Sequence, residues 1–284
     1  RLADTHFVMT TTTANAVGVF RHMEFCRQCL WPELDVHLIS ITEQFAQFAI
    51  AGPNSRRLLT KLIDKEHDIS NEAFPYMACG EITVCGGTPA RLFRISFSGE
   101  LAYELAVPSR YGDSLVRQLM KAGEEFNVTA YGTEALGVMR IEKGHAAGSE
   151  LNGQTTARDL GMGKMVSKSK DFIGKILADR AGLNREDGLA LMGFQPVKPD
   201  ATITAGSHFF PENKTITMLN DEGWLSSVAY SPTLGHSIGL GFIMRGAARE
   251  NEIVRAVDLL QSNEVEVRIV SPHFVDPQGD RLRV

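Results

Sequence analysis

The segment FSGELAYELAV, residues 97–107, sets an ionisable residue, Glu104, inside an apolar run. Alternation with period two places Tyr103, Leu105 and Val107 on one face of a strand and Ala102, Glu104 and Ala106 on the other. Residues 91–97 alternate likewise, with Phe93, Ile95 and Phe97 sharing a face. Between the two runs, Ser98 and Gly99 are expected to make a tight turn, so that the segment closes an antiparallel hairpin. Glu104 then stands between two alanines, with room beside it and no cation close in sequence. A carboxylate leaving water needs a partner, so something distant in the chain, or outside it, must satisfy this one.

Upstream of the hairpin, residues 1–13 read as a strand and residues 14–30 as a helix. Residues 37–51 are strand-rich, with Ile39, Ile41, Phe45, Phe48 and Ile50 as core candidates. Pro53, set where a first turn tolerates it, opens a helix carrying Leu58, Leu59 and Leu62. Downstream, residues 111–126 are amphipathic, with Leu115, Leu119 and Met120 on one side. Thr133 is the expected N-cap of a helix over 134–143, which Gly144 ends. A polar loop at 148–156 follows, then a helix start at 170–175 and a charged linker at 184–188. Beyond it, residues 189–194, 215–219, 225–231, 237–243 and 265–270 read as short strands punctuated by Gly, Pro and Asp. This is the pattern of a small antiparallel barrel.

The 284 residues, 43% hydrophobic and 22% charged, suffice for two or three cores. A net charge of −5 without a long Lys/Arg run weighs against a nucleic-acid partner, and no apolar stretch reaches the length of a membrane span. The expectation is a soluble, cytoplasmic protein. The chain opens without a methionine on what reads as a strand, as a piece of a longer polypeptide would. Cys26 and Cys29 have a metal-like spacing, but they lie in a helical pattern, and Cys79 and Cys85 do not complete a set; free thiols are expected. The histidines, among them His6, His22, His37, His145, His208, His236 and His273, are scattered, and no Ser-His-Asp or Cys-His triad is evident.

Five segments, taken in order, resemble the aminomethyltransferase (glycine-cleavage T-protein) family: FSGELAYEL (97–105), MRIEKG (139–144), Thr155-Thr156, KDFIGK (170–175) and SPTLG (231–235). NGQTTARDLG (152–161) and the ending SPHFVDP (271–277) are similar to one branch, the C-terminal part of the α subunits of heterotetrameric sarcosine oxidases. The resemblance implies an α+β, multi-subdomain folate-binding fold over residues 1–182, followed by the barrel over 189–284. It also implies tetrahydrofolate as cofactor, with FAD, FMN and NAD elsewhere in the intact complex. The implied partners are β, γ and δ subunits and a sarcosine-derived one-carbon unit.

In that family the glutamate matching Glu104 holds the pterin ring. A pterin offers an N–H and an NH₂ side by side, a donor pair that one carboxylate accepts bidentately. Phe97 matches a folate-lining position that is often tyrosine; here the ring is kept and the hydroxyl lost. Thr12 stands where relatives carry a folate-proximal asparagine, with Asn15 just beyond, while Leu136 replaces an arginine of relatives. Glu100 is expected in solvent. The family's catalytic aspartate would lie upstream of Arg1, so no residue of this chain is assigned that role. Two rival readings are a free-standing aminomethyltransferase and a non-enzymatic folate-binding helper for iron–sulfur proteins. The helper branch carries a cysteine where Asp171 stands here.

Overall fold

A computed structural model describes residues 1–284 as two compact units. The first comprises Arg1–Ser96, Leu101–Thr129 and Arg283–Val284; the second comprises Phe97–Glu100 and Ala130–Leu282. No helix is long and apolar enough to cross a membrane.

The first unit is built on a four-stranded antiparallel sheet: β1 (Phe45–Ala51), β2 (Cys79–Val84), β3 (Thr88–Phe93) and β4 (Ala102–Pro108), in the order β1-β4-β3-β2. The alternation read in β4 holds. Tyr103, Leu105 and Val107 are fully buried against Leu58, Leu59, Leu92, Leu115 and Leu119, beneath α2 (Ser55–Leu59) and α3 (Gly112–Gly123). Met120, expected with Leu119, is instead 39% exposed. Residues 1–13 form no strand; only an isolated bridge joins Ala3 and His6. The threonine run has β propensity but no neighbouring strand, and an extended segment without a partner gains no ladder. Ile39 likewise lies outside any strand and is 77% exposed. The helix expected next is present as α1 (Ala16–Phe25), continued by a π-turn over Cys26–Leu30.

The hairpin between β3 and β4 exists, with Phe93 opposite Glu104, but its connection is longer than a tight turn. β3 stops at Phe93, and the next residue, Arg94, is wholly buried. Its backbone pairs with Met77 and Ala78, while its guanidinium donates to Asn71 Oδ1 (2.6 Å) and the Phe74 carbonyl (2.8 Å). Ile95 and Phe97 therefore do not continue the strand.

In the second unit, α4 (Thr133–Lys143) is capped by Gly132 rather than by the Thr133 side chain, and ends at Gly144 with φ +77°. The helix after Gly174, α5 (Lys175–Ala178), is a single turn. Six strands close an antiparallel barrel in the order β10-β5-β8-β7-β6-β9. They are β5 (Leu189–Pro196), β6 (His208–Phe210), β7 (Gly223–Ser231), β8 (His236–Met244), β9 (Ile253–Asp258) and β10 (Asn263–Val270). The barrel interior stacks Phe194 on Phe209 (4.1 Å) among Met192, Leu225, Ile243, Val254, Val267 and Ile269. The strand expected over residues 215–219 is absent. β6 takes the place between β7 and β9, so Met218 and Leu219 sit in a turn, 95% and 96% exposed.

Candidate functional site

Because Tyr103 and Leu105 are committed to the core, Glu104 must project from the opposite face of the sheet. Ala49 of β1 and Phe93 of β3 flank it across the ladder, and Ala102 and Ala106 flank it along β4. Two residues along β1 from Ala49, the side-chain amide of Gln47 donates a hydrogen bond to Glu104 Oε2. Oε1 makes no hydrogen bond within the chain. The cation nearest in register, Arg91, is engaged elsewhere: its guanidinium lies 4.5 Å over the Phe45 ring and 3.6 Å from Glu81.

Glu104 is thus a half-buried carboxylate without an ion pair. Burial raises its pKa above the ordinary carboxylate value, and the Gln47 amide pulls it part of the way back. Ala49, which is exposed, and Ala102 and Ala106, which are buried, each bring only a methyl group beside the carboxylate. Chemically this is an acceptor for paired N–H donors, steadied from one side by Gln47. On the core side, Arg56 Nε donates to the Tyr103 hydroxyl (2.9 Å) and fixes the strand that carries the acid.

The other residues singled out from the sequence are placed as follows. Thr12 and Asn15 are exposed in the first unit, bracketing a 3-10 turn in which the Asn15 N–H donates to the Thr12 carbonyl (3.0 Å). Phe97 belongs to the second unit, 41% exposed, with its ring stacked on His145. Glu100 is not free in solvent: Arg281 Nη1 donates to its carboxylate at 2.5 Å. Leu136 is carried on α4. The four thiols are free, and Cys26 Sγ lies 3.7 Å from His22 Nε2. Asp171 pairs with Lys175 at 3.0 Å.

The motif MRIEKG has a structural explanation that the sequence alone does not give. Ile141 packs on Leu191, Ile238, Leu240 and Phe242 of the barrel wall, and the three charged residues around it are buried and paired. Arg140 donates to Glu150 Oε2 (2.9 Å) and Ser227 Oγ (2.6 Å), Glu142 accepts from Ser231 (2.5 Å), and Lys143 pairs with Asp276 (2.9 Å). Glu150 also accepts from Ser226 and Ser227, both at 2.6 Å. A bulge between Leu225 and Ser227 explains how two consecutive serines reach one carboxylate. Burial alone would raise the Glu150 pKa; the hydroxyls of Ser226 and Ser227, the Ala147 N–H and Arg140 together hold it below the ordinary value.

The first 170 residues match the GCVT N-terminal domain, and residues 190–276 match the glycine cleavage T-protein C-terminal barrel domain. Over all of this chain it is 48% identical to the sarcosine oxidase subunit alpha of Rhizobium meliloti (strain 1021), of which it covers 29%. It is 40% identical to the same subunit of Corynebacterium sp. (strain P-1) over 99% of this chain and 29% of that one. The chain thus spans about three-tenths of the length of these curated relatives. A crystal structure of the glycine cleavage system aminomethyltransferase T from Bartonella henselae has the same fold. Its TM-score is 0.70 at 18% identity, over 93% of this chain and 67% of that one. With both characteristic domains matched in order, the chain belongs to the glycine-cleavage T-protein family.

Proposed function

We propose that this chain is the folate-dependent one-carbon acceptor portion of a sarcosine oxidase α subunit, with a folate-binding part over residues 1–182 and the barrel over 189–284. The observation that carries the reading is Glu104: a half-buried carboxylate, without a cation, in an alanine-lined setting on a sheet face. Its acceptor-only chemistry fits the paired N–H donors of a pterin. Two charge-assisted hydrogen bonds of this kind contribute about 1.5–3 kcal/mol, which is roughly ten- to a hundredfold in affinity. When bound, tetrahydrofolate would supply a nucleophilic amine that takes up the one-carbon unit of oxidised sarcosine, giving 5,10-methylenetetrahydrofolate and leaving glycine.

The chain's own part is to hold and orient. Gln47 keeps the Glu104 carboxylate in place, and the Arg56–Tyr103 bond keeps the strand in place, so the acid is aimed before a ligand arrives. Phe97, Thr12 and Asn15 enter the proposal as folate contacts on the family resemblance. Oxidation of sarcosine, with hydrogen peroxide as co-product, is assigned to a flavin in a partner β subunit of an assembly that holds FAD, FMN and NAD outside this chain, and a cytoplasmic setting accompanies that role.

The test uses the complete polypeptide with its copurifying subunits, supplied with ¹³C-methyl sarcosine and tetrahydrofolate. Labelled 5,10-methylenetetrahydrofolate by mass spectrometry is the expected product. Label recovered only as free formaldehyde would contradict the proposal. Labelled product from an aminomethyl-lipoyl donor, and none from sarcosine, would establish the free-standing aminomethyltransferase instead.

A further inference from the structure

His22, Cys26 and Cys29 follow one another at intervals of four and three residues, so they are neighbours where α1 runs into its π-turn. Cys26 Sγ lies 3.7 Å from His22 Nε2. The backbone sets the two one turn apart, with the Cys26 N–H donating to the His22 carbonyl. The Trp31 N–H closes the π-turn on the Cys26 carbonyl at 2.8 Å, so Cys26 and Cys29 belong to one turn. Three residues along a helix put two Cα atoms about 5 Å apart. That falls within the roughly 4.4–6.8 Å that a disulfide spans.

Accessibility divides the roles. Cys26 is 7% exposed and is the single buried residue of the segment 1–49, whereas Cys29 and His22 are exposed. Hydrogen peroxide therefore reaches Cys29 first, while His22 connects the buried thiol to water. The other two thiols lack this arrangement. Cys79 opens β2 and Cys85 follows its end, about 20 Å away along an extended strand and too far to pair.

We infer that Cys26 and Cys29 form a modification site, a dithiol that hydrogen peroxide converts to a disulfide with His22 as proton acceptor. In the first step the Cys29 sulfur attacks one peroxide oxygen and the O–O bond breaks. Cys29 becomes a sulfenic acid, and its proton joins the departing oxygen as water. In the second step His22 Nε2 takes the Cys26 proton and the Cys26 sulfur attacks the Cys29 sulfur. The sulfenic hydroxyl then leaves with that proton as a second water. The dithiol loses two electrons and two hydrogens, and one peroxide becomes two waters. Capture by Cys26 also stops Cys29 short of irreversible sulfinic acid. Hydrogen peroxide is the co-product assigned above to the partner flavin, but the chemistry requires only the peroxide, whatever its source.

The experiment exposes the complete polypeptide, with its copurifying subunits, to added hydrogen peroxide and caps the remaining thiols with iodoacetamide. Trypsin cuts after Arg21, Arg27 and Arg56, so a Cys26–Cys29 bond is what holds peptide 22–27 to peptide 28–56 in the mass spectrum. That linked pair is expected, and dithiothreitol should release it. His22→Asn is expected to slow closure of the bond at least about tenfold. Dimedone should still trap the Cys29 sulfenic acid in that variant, which separates proton transfer from a loss of structure. Cys26 and Cys29 both recovered capped after peroxide, or Cys29 recovered as sulfinic acid beside capped Cys26, would overturn the inference. Closure at an equal rate in His22→Asn would overturn the part given to His22. Because the peroxide is supplied, none of these outcomes depends on folate binding or on sarcosine as substrate.

Discussion

The side-chain amide of Gln47 on β1 donates to the carboxylate of Glu104 on β4, and each of the two residues stands opposite an alanine of the other strand, Ala106 and Ala49. The bond steadies the acid without neutralising it. A neutral amide leaves the carboxylate charged, and burial then opposes that charge. An acid kept in this state costs the fold some stability.

Glu104→Gln should therefore stabilise the free protein at neutral pH, by on the order of 0.5–1 kcal/mol. The sign follows from linkage. The folded-state pKa is raised, so the native state holds its proton more tightly than the unfolded chain does. The cost is absent below the unfolded value, near 4.5, and grows as pH rises through the folded value. Thermal melts should show the variant melting higher at pH 7 and level with the unmodified protein near pH 4. A lower melting point at pH 7 would contradict this.

Glu150 works the other way. It is fully shielded, and its carboxylate joins Arg140 to two serines of the barrel bulge. Removing one side of a buried pair strands the other, so Glu150→Ala should cost about 3–5 kcal/mol in urea unfolding. Its folded pKa is lowered, so its contribution is present above the unfolded value and is lost as pH falls through the folded one. Glu150→Gln should therefore flatten the acid limb of the stability–pH curve. An unaltered limb would remove Glu150 from that role.

Gly144 ends α4 at φ +77°, and a methyl group there would meet the Pro272 carbonyl oxygen at 2.4 Å. Gly144→Ala should lose at least ~1–2 kcal/mol from the backbone conformation alone, before the clash is counted. The same substitution at Gly148, where nothing lies within 4 Å, should change stability little. Equal effects at the two positions would contradict the close approach.

What could be read from the sequence follows from how local each cause is. β4 was legible because its two faces differ in chemistry, so alternation alone assigned Tyr103 inward and Glu104 outward. The end of β3 was not, because Arg94 fits the alternating pattern, and the partners that hold its buried guanidinium, Asn71, Phe74 and Val284, are distant in the chain. β6 is three residues long, below the length at which periodicity carries information, and the more strand-like 215–219 has no partner. Glu104 was singled out correctly as an acid lacking a local partner, but Gln47 lies 57 positions away and nothing near it marks the contact. Glu150, in a polar loop, reads as a solvated side chain; the serines that bury it come 76 and 77 positions later.

The most direct measurement of the central claim is a titration of the complete polypeptide and its Glu104→Gln variant with tetrahydrofolate. Glutamine brings an NH₂ donor against a donor pair, so the variant should bind roughly ten- to a hundredfold more weakly while folding at least as well. Equal dissociation constants for the two proteins would mean that this carboxylate does not hold the ligand.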